Sequence, residues 1–329
     1  MTSTRVTCDL CPRECRLAEG QRGYCYVRMN RGGRIVLNTY GRTSGFGLDP
    51  IEKKPLNHFL PGSVALSFGT AGCNLGCKFC QNWEISTSRT QDTLSRAATP
   101  EQIARTALTS HAASVAMTYN DPVIFYEFAA DVSAACRAVG VHPVAVTAGY
   151  ISPRYARSFF SLVDAANIDL KSFSDDFYQK VTGGRLNTVL NSIVTAVELG
   201  IHVELTTLLI PGYNDSDNEI AAMCAWVVDN LGPDVPHHFS AFHPDNRMRD
   251  VPRTPPQTLA RAYDIAAEAG EHFPYTGNVH DARGDTTFCP SCNQRLIVRD
   301  WYRILENHLT SSATCPSCGT TIAGVFTSP

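Results

Sequence analysis

The chain has 329 residues, 43% of them hydrophobic and 18% charged, with a net charge of −3. This is room for one large domain with small appendages, in the composition of an ordinary globular protein. There is no broad basic field for bulk nucleic-acid or anionic-membrane binding, no apolar run of membrane-spanning length, and no apolar secretory core in MTSTRVTCDLCPREC, so a cytoplasmic protein is expected.

Residues 1–60 form a Cys-, Arg- and Gly-rich N-terminal extension with little periodicity. It ends in GLDPIEKKPLNHFLPG, a proline-punctuated connector in which Lys53, Lys54 and His58 read as solvated loop residues. Over 61–283 β and α patterns alternate. Strands are predicted at Ser63–Phe68, Ser114–Thr118, Pro143–Thr147, Ala165–Leu170, His202–Ile210 and His238–Phe242, with a last one at Phe273–Thr276. Helices are predicted near 100–110, 122–139, 153–162, 187–199, 216–231 and 255–269, the fifth opening on a capping box, Ser216-x-x-Glu219. Such alternation implies a parallel sheet, as an open partial barrel of the (β/α)6 type or a doubly wound sheet. Residues 284–329 read as a small Cys-bounded module without a core of its own.

In a parallel barrel, chemistry sits at the C-terminal ends of strands. A cysteine loop follows the first predicted strand, Tyr119-Asn120-Asp121-Pro122 the second and Thr147 the third. Asp169 and Lys171 flank the end of the fourth, Thr206 and Thr207 lie in the fifth, and His243 follows the sixth.

Thirteen cysteines in a reducing compartment read as metal ligands where they cluster. Cys136 and Cys224 stand alone at helical core spacing and are expected to pack as small hydrophobes. Cys73-x3-Cys77-x2-Cys80, in FGTAGCNLGCKFCQN, crowds three thiolates into a Gly-flanked loop. That set suits an iron–sulfur cluster with one iron left open for chemistry. Cys289-x2-Cys292-x22-Cys315-x2-Cys318 has the two knuckles of a zinc ribbon. Zinc there would supply folding energy that a small core cannot, and an auxiliary iron–sulfur cluster is the alternative. Cys8-x2-Cys11-x3-Cys15-x9-Cys25 suits zinc or a second cluster.

With Cys73, Cys77, Phe79 and Cys80 matching Cys-x3-Cys-x-aromatic-Cys, the chain resembles the radical S-adenosylmethionine superfamily. TYNDP (118–122), NIDLKSF (167–173), LIPGYND (209–215) and FHPD (242–245) resemble segments of pyruvate formate-lyase activating enzymes. The CPREC…GYCYVR lead-in, DPIEKKPLNHFLPGS, TGN at 276–278 and the Cys-rich tail resemble the AmmeMemoRadiSam-system radical enzymes. The resemblance implies a 4Fe–4S cluster on Cys73, Cys77 and Cys80, with S-adenosylmethionine chelating the fourth iron. Reductive cleavage then yields a 5′-deoxyadenosyl radical that abstracts hydrogen from a protein glycine or a small molecule.

By the same resemblance Asn120 and Asp121 bind the amino end of S-adenosylmethionine, and Asp169 and Lys171 lie near its carboxylate or ribose, or near substrate. Thr147 completes the cofactor-binding set, and no residue is assigned as catalytic. Asp121 stands where relatives often carry glutamate. Implied partners are a low-potential donor such as flavodoxin or ferredoxin, and Memo-type and Amme-type proteins. A different class also accommodates the cysteines: a metal-stabilised scaffold whose cluster senses redox state without radical turnover.

Overall fold

The computed structural model describes residues 5–89 and 96–327. Its large sheet has eight strands, in hydrogen-bonded order Pro274–Gly277, His237–Ala241, His202–Leu209, Ala165–Asp169, His142–Thr147, Ser114–Met117, Val64–Phe68 and Phe46–Pro50. The class is therefore α/β with a large parallel sheet. The chain divides into two compact units: Met1–Asp49, Val64–Ala166 and Tyr178–Ile201 in the first; Pro50–Ser63, Asn167–Phe177 and His202–Pro329 in the second.

In the first unit Val64–Phe68 and His142–Thr147 both pair parallel with Ser114–Met117. Ser114–Met117 is buried at every position, as expected of a strand covered on both faces. Helices follow at Pro100–Thr109, Tyr126–Arg137, Pro153–Phe160 and Leu186–Glu198. The helix predicted over 122–139 is split. Pro122 opens a short 3-10 turn, Pro122–Phe125, whose Val123 amide is capped by the Asp121 carboxylate, and the α-helix starts at Tyr126. Short antiparallel pairs in the extension, Val6–Cys8 with Cys15–Leu17 and Arg28–Arg31 with Arg34–Leu37, are too brief to show periodicity.

In the second unit His202–Leu209, His237–Ala241 and Pro274–Gly277 pair parallel, with helices Asp217–Leu231 and Pro256–Ala269. Ser216 caps Glu219 N as expected. The Glu219 carboxylate does not close the box; it accepts from Ser172 Oγ and Phe173 N instead. The C-terminal module forms three strands, Thr287–Phe288, Arg295–Asp300 and Arg303–Asn307. Leu296, Ile297 and Ile322 complete their core with Phe273 and Tyr275 from outside the module.

The connector corrects one expectation. Lys53 is exposed, but Lys54 and His58 are buried. Fully buried Glu204 accepts four hydrogen bonds: from the amides of Asn57 (2.9 Å) and His58 (2.6 Å), and from His202 (2.9 Å) and His238 (2.6 Å). The His58 ring bridges Ala323 O and Tyr275 Oη at 2.7 Å each, and Arg299 donates to Asn57 O at 2.8 Å. Connector backbone has too many polar groups to lie buried unless they are paired, and this knot pairs them. Burial opposes ionisation of Glu204, but hydrogen bonds from His202 and His238 outweigh it and hold the carboxyl far below its usual range. Burial also pushes His58 down to about 4.

Candidate functional site

The strand Val64–Phe68 delivers the cysteine loop, and two glycines let it pack closely. A side chain at Gly69 would overlap Thr118 O and the Asn120 side chain. At Gly72, with φ +86°, it would overlap the Cys25 carbonyl. Asn120, buried, holds the loop with both ends of its amide: Oδ1 accepts from Thr70 N (3.1 Å) and Nδ2 donates to Gly72 O (2.6 Å). Asn74 Nδ2 donates to Tyr150 O (2.8 Å), and the amides of Gly76 and Lys78 donate to Thr182 O (2.8 Å) and Val181 O (3.0 Å). The loop backbone is thus fixed from several sides, which places its thiols before any ligand arrives.

The three thiols are half-buried. Cys73 Sγ accepts from Leu75 N at 3.5 Å and also from the Asp121 amide. Cys80 Sγ lies 3.2 Å from Ser86 Oγ. Burial pushes the Cys73 thiol up, and the Asp121 carboxylate adds to it, so ionising it calls for a bound cation. Amides directed at thiolate sulfur are the contacts that set an iron–sulfur potential. The Thr70 hydroxyl, buried in this loop, has no hydrogen-bond partner among the described residues. Three soft donors, sulfur-directed amides and a spare buried hydroxyl fit a thiolate-held cluster.

Asp121 and Thr147 join this group. Thr147 Oγ1 donates to Asp121 Oδ1 (2.8 Å) and accepts from Gly149 N (3.0 Å), while Asp121 Oδ1 also accepts from Val123 N (3.1 Å). Asn120, Asp121, Thr147 and the loop therefore form one bonded set within the first unit.

Asp169 and Lys171 belong to the second unit. They pair at 2.7 Å and are both half-buried. Lys171 O accepts from Asn214 Nδ2 (2.7 Å), which also donates to Leu208 O (2.9 Å). Thr207 Oγ1 donates to Leu170 O (2.7 Å), and Thr206 Oγ1 to Asn167 Oδ1 (3.0 Å). His243 is half-buried. Sequence reasoning passed over Asn214, although it lies inside LIPGYND, and over Glu219 as a partner of the strand-end turn.

The C-terminal sulfurs of Cys289, Cys292, Cys315 and Cys318 all lie within 4.8 Å of one another, with Cys289–Cys318 at 3.5 Å and Cys292–Cys315 at 3.6 Å. Thiolates bonded at about 2.3 Å to one tetrahedral ion would sit roughly 3.8 Å apart. The two knuckles are built alike. Cys289 N donates to Gln294 O and Cys315 N to Thr320 O, while Asn293 N and Gly319 N return to Cys289 O and Cys315 O. Asn293 and Gly319 both take positive φ. The group could hold a single metal ion.

Cys8, Cys11, Cys15 and Cys25 line one cavity in the first unit. Cys136 and Cys224 are fully buried, as expected. Cys224 also forms a compact buried set with His237 and Glu271, in which His237 Nδ1 lies 3.1 Å from Glu271 Oε1 and its Nε2 2.9 Å from Thr207 Oγ1.

Residues 68–224 match the Radical SAM superfamily. Over 320 residues the chain is 39% identical to an uncharacterised protein of Methanocaldococcus jannaschii, MJ0808, covering 97% of this chain and 95% of that one. It is 27% identical over 114 residues, 34% of each chain, to benzylsuccinate synthase activating enzyme of Thauera aromatica. Among solved structures, a radical SAM methyltransferase from Sphaerobacter thermophilus shares the fold with a TM-score of 0.53 at 16% identity, over 67% of this chain and 68% of that one.

Proposed function

Because the chain belongs to the radical S-adenosylmethionine superfamily and is related to the glycyl-radical activating enzymes, we propose that Cys73, Cys77 and Cys80 hold a 4Fe–4S cluster whose open iron takes S-adenosylmethionine. When bound, that pair supplies reductive cleavage of the sulfonium, giving methionine and a 5′-deoxyadenosyl radical for hydrogen abstraction. The observation that carries this reading is the cysteine loop itself, three half-buried thiols on a backbone clamped by Asn120.

The protein's own contribution is placement. Asn120 fixes the loop, and Thr147 hydrogen-bonds the Asp121 carboxylate, whose charge acts on Cys73. Asp121 would accept from the amino end of the cofactor. Asp169 and Lys171 would serve its carboxylate or ribose, or the substrate. The substrate is a glycine in a partner protein, as the activating-enzyme relatives suggest, or a small molecule passed among Memo-type and Amme-type partners, as the AmmeMemoRadiSam resemblance suggests.

Radical SAM enzymes need a reductant; a flavodoxin or ferredoxin in the cytoplasm suits the low potential required. No helix among the described residues is long and apolar enough to cross a membrane. Zinc suits the compact C-terminal sulfur group. The segments 1–60, 61–283 and 284–329 are then a metal-binding extension, the radical domain and a zinc ribbon.

The test is anaerobic incubation of the reconstituted full chain with dithionite and S-adenosylmethionine. Equal amounts of 5′-deoxyadenosine and methionine are expected; a reduced cluster that yields neither would favour the redox-sensing scaffold.

A further inference from the structure

The N-terminal cysteines have the same number of thiols as the C-terminal knuckles but a different arrangement. Among the described residues, the compact sulfur-containing groups are the C-terminal four and Cys224 with its partners; Cys8, Cys11, Cys15 and Cys25 are not such a group. They still belong together. Cys8 and Cys15 are cross-strand partners, Cys15 Sγ accepts from Tyr24 N at 3.5 Å, and all four line one cavity. Thiols set around a space, rather than closed on a point, suit a polynuclear cluster in which each sulfur caps a different iron.

The cavity has a cation built into its wall. Arg28 lines it, and its side chain is 9% exposed. The guanidinium's charge acts on Cys8 and Cys25, and the group donates to both Glu127 oxygens at 2.7 and 2.6 Å. Its Nε is buried with no hydrogen-bond partner among the described residues. Glu127 answers the charge, but the leftover buried Nε–H is costly unless an acceptor meets it. A cluster ligated by four thiolates carries net negative charge and accepts hydrogen bonds at sulfur.

The cavity also abuts the cysteine loop. Asn74, next to Cys73, is part of its wall. Arg13, another wall residue, donates to Asn74 O and, at 2.9 Å, to Gly183 O. The Cys25 carbonyl fills the space that a side chain at Gly72 would take. One ligand of the N-terminal group therefore touches the residue before Cys73.

We infer that Cys8, Cys11, Cys15 and Cys25 hold a second 4Fe–4S cluster, with Arg28 in its wall, set against the Cys73–Cys80 loop to pass it single electrons. An external low-potential donor such as a ferredoxin gives one electron to the second cluster, which returns to its oxidised state by reducing the loop cluster by one electron. The relay rests on the loop cluster of the proposed function; the second cluster does not.

The experiment compares the full chain with a Cys73→Ala, Cys77→Ala, Cys80→Ala triple variant, both reconstituted anaerobically with iron and sulfide. The parent should hold about eight irons and the variant about four, with matching sulfide and a reducible EPR signal. The parent's reduced spectrum should show magnetic coupling between two centres that is absent from the variant. Arg28→Gln, which keeps all the thiols, should shift the second cluster's potential negative by removing a nearby positive charge. A folded triple variant holding zinc, or no metal, overturns the second cluster. Two uncoupled clusters overturn the relay. The two readings fail separately: if the variant keeps iron while the parent's spectrum ignores S-adenosylmethionine, the proposed function alone is lost.

Discussion

Glu204 and Cys73 sit in regions that bury polar atoms to opposite ends. Around Glu204 the carboxylate is answered internally: four donors converge on it, and the His58 ring spends both nitrogens on Ala323 and Tyr275. Around Cys73 the loop backbone is answered, three half-buried thiols share one loop, and the Thr70 hydroxyl has no hydrogen-bond partner among the described residues. A saturated buried network rigidifies; a clamped loop with donors to spare is built to take a ligand. Burial alone does not separate structural from functional polarity. What separates them is whether the inventory closes.

The largest expected effect breaks the open side of this comparison. Cys77→Ala should reduce 5′-deoxyadenosine formation to the level of a protein-free mixture while the chain still folds, as read by circular dichroism. Retained turnover would remove Cys77 from the ligand set.

On the closed side, Glu204→Ala should cost about 3–5 kcal/mol in denaturant unfolding, because it strands two amides and two histidines in the interior. A loss under about 1 kcal/mol would mean that the knot is not saturated as described.

The compact C-terminal sulfurs should behave as a folding ligand. Stripping metal with a strong chelator should abolish amide-exchange protection over Arg295–Asn307 and leave protection in Ser114–Met117. Equal loss in both would contradict a local metal clamp.

Acid should weaken the knot. His58 is held neutral in the fold, its pKa lowered from 6.5 to about 4 by burial, so its contribution is complete above 6.5. Below 6.5 the unfolded chain takes up a proton that the fold refuses, and stability falls toward pH 4. Glu204, also depressed, contributes above its ordinary 4.5, and that contribution is lost on further acidification. Denaturation midpoints from pH 7.5 to 4 should therefore fall steadily below 6.5; a flat profile would contradict the assignment.

The smallest effect tests the support of Asp121. Thr147→Val removes one hydrogen bond and should cost about 1 kcal/mol in stability while raising the KM for S-adenosylmethionine more than it lowers kcat.

What the sequence made legible was local. Cys73, Cys77 and Cys80 lie within eight residues, so their spacing alone carries the chemistry, and repeated apolar runs give the parallel sheet its strands. The Glu204 knot joins residues up to 265 positions apart, as in His58 and Ala323, and no periodicity registers that. His58 read as solvated because Pro- and Lys-rich connectors usually are, and only the tail that covers it reverses the reading. Arg28 likewise looked like one of many arginines until the fold set it beside Cys8.

The most direct measurement of the central claim is the EPR spectrum of the singly reduced full chain before and after adding S-adenosylmethionine. If Cys73, Cys77 and Cys80 leave one iron open for the cofactor, part of the spectrum should change its g-values on addition, and that part should be missing from the triple alanine variant. A spectrum that is the same with and without S-adenosylmethionine would contradict it.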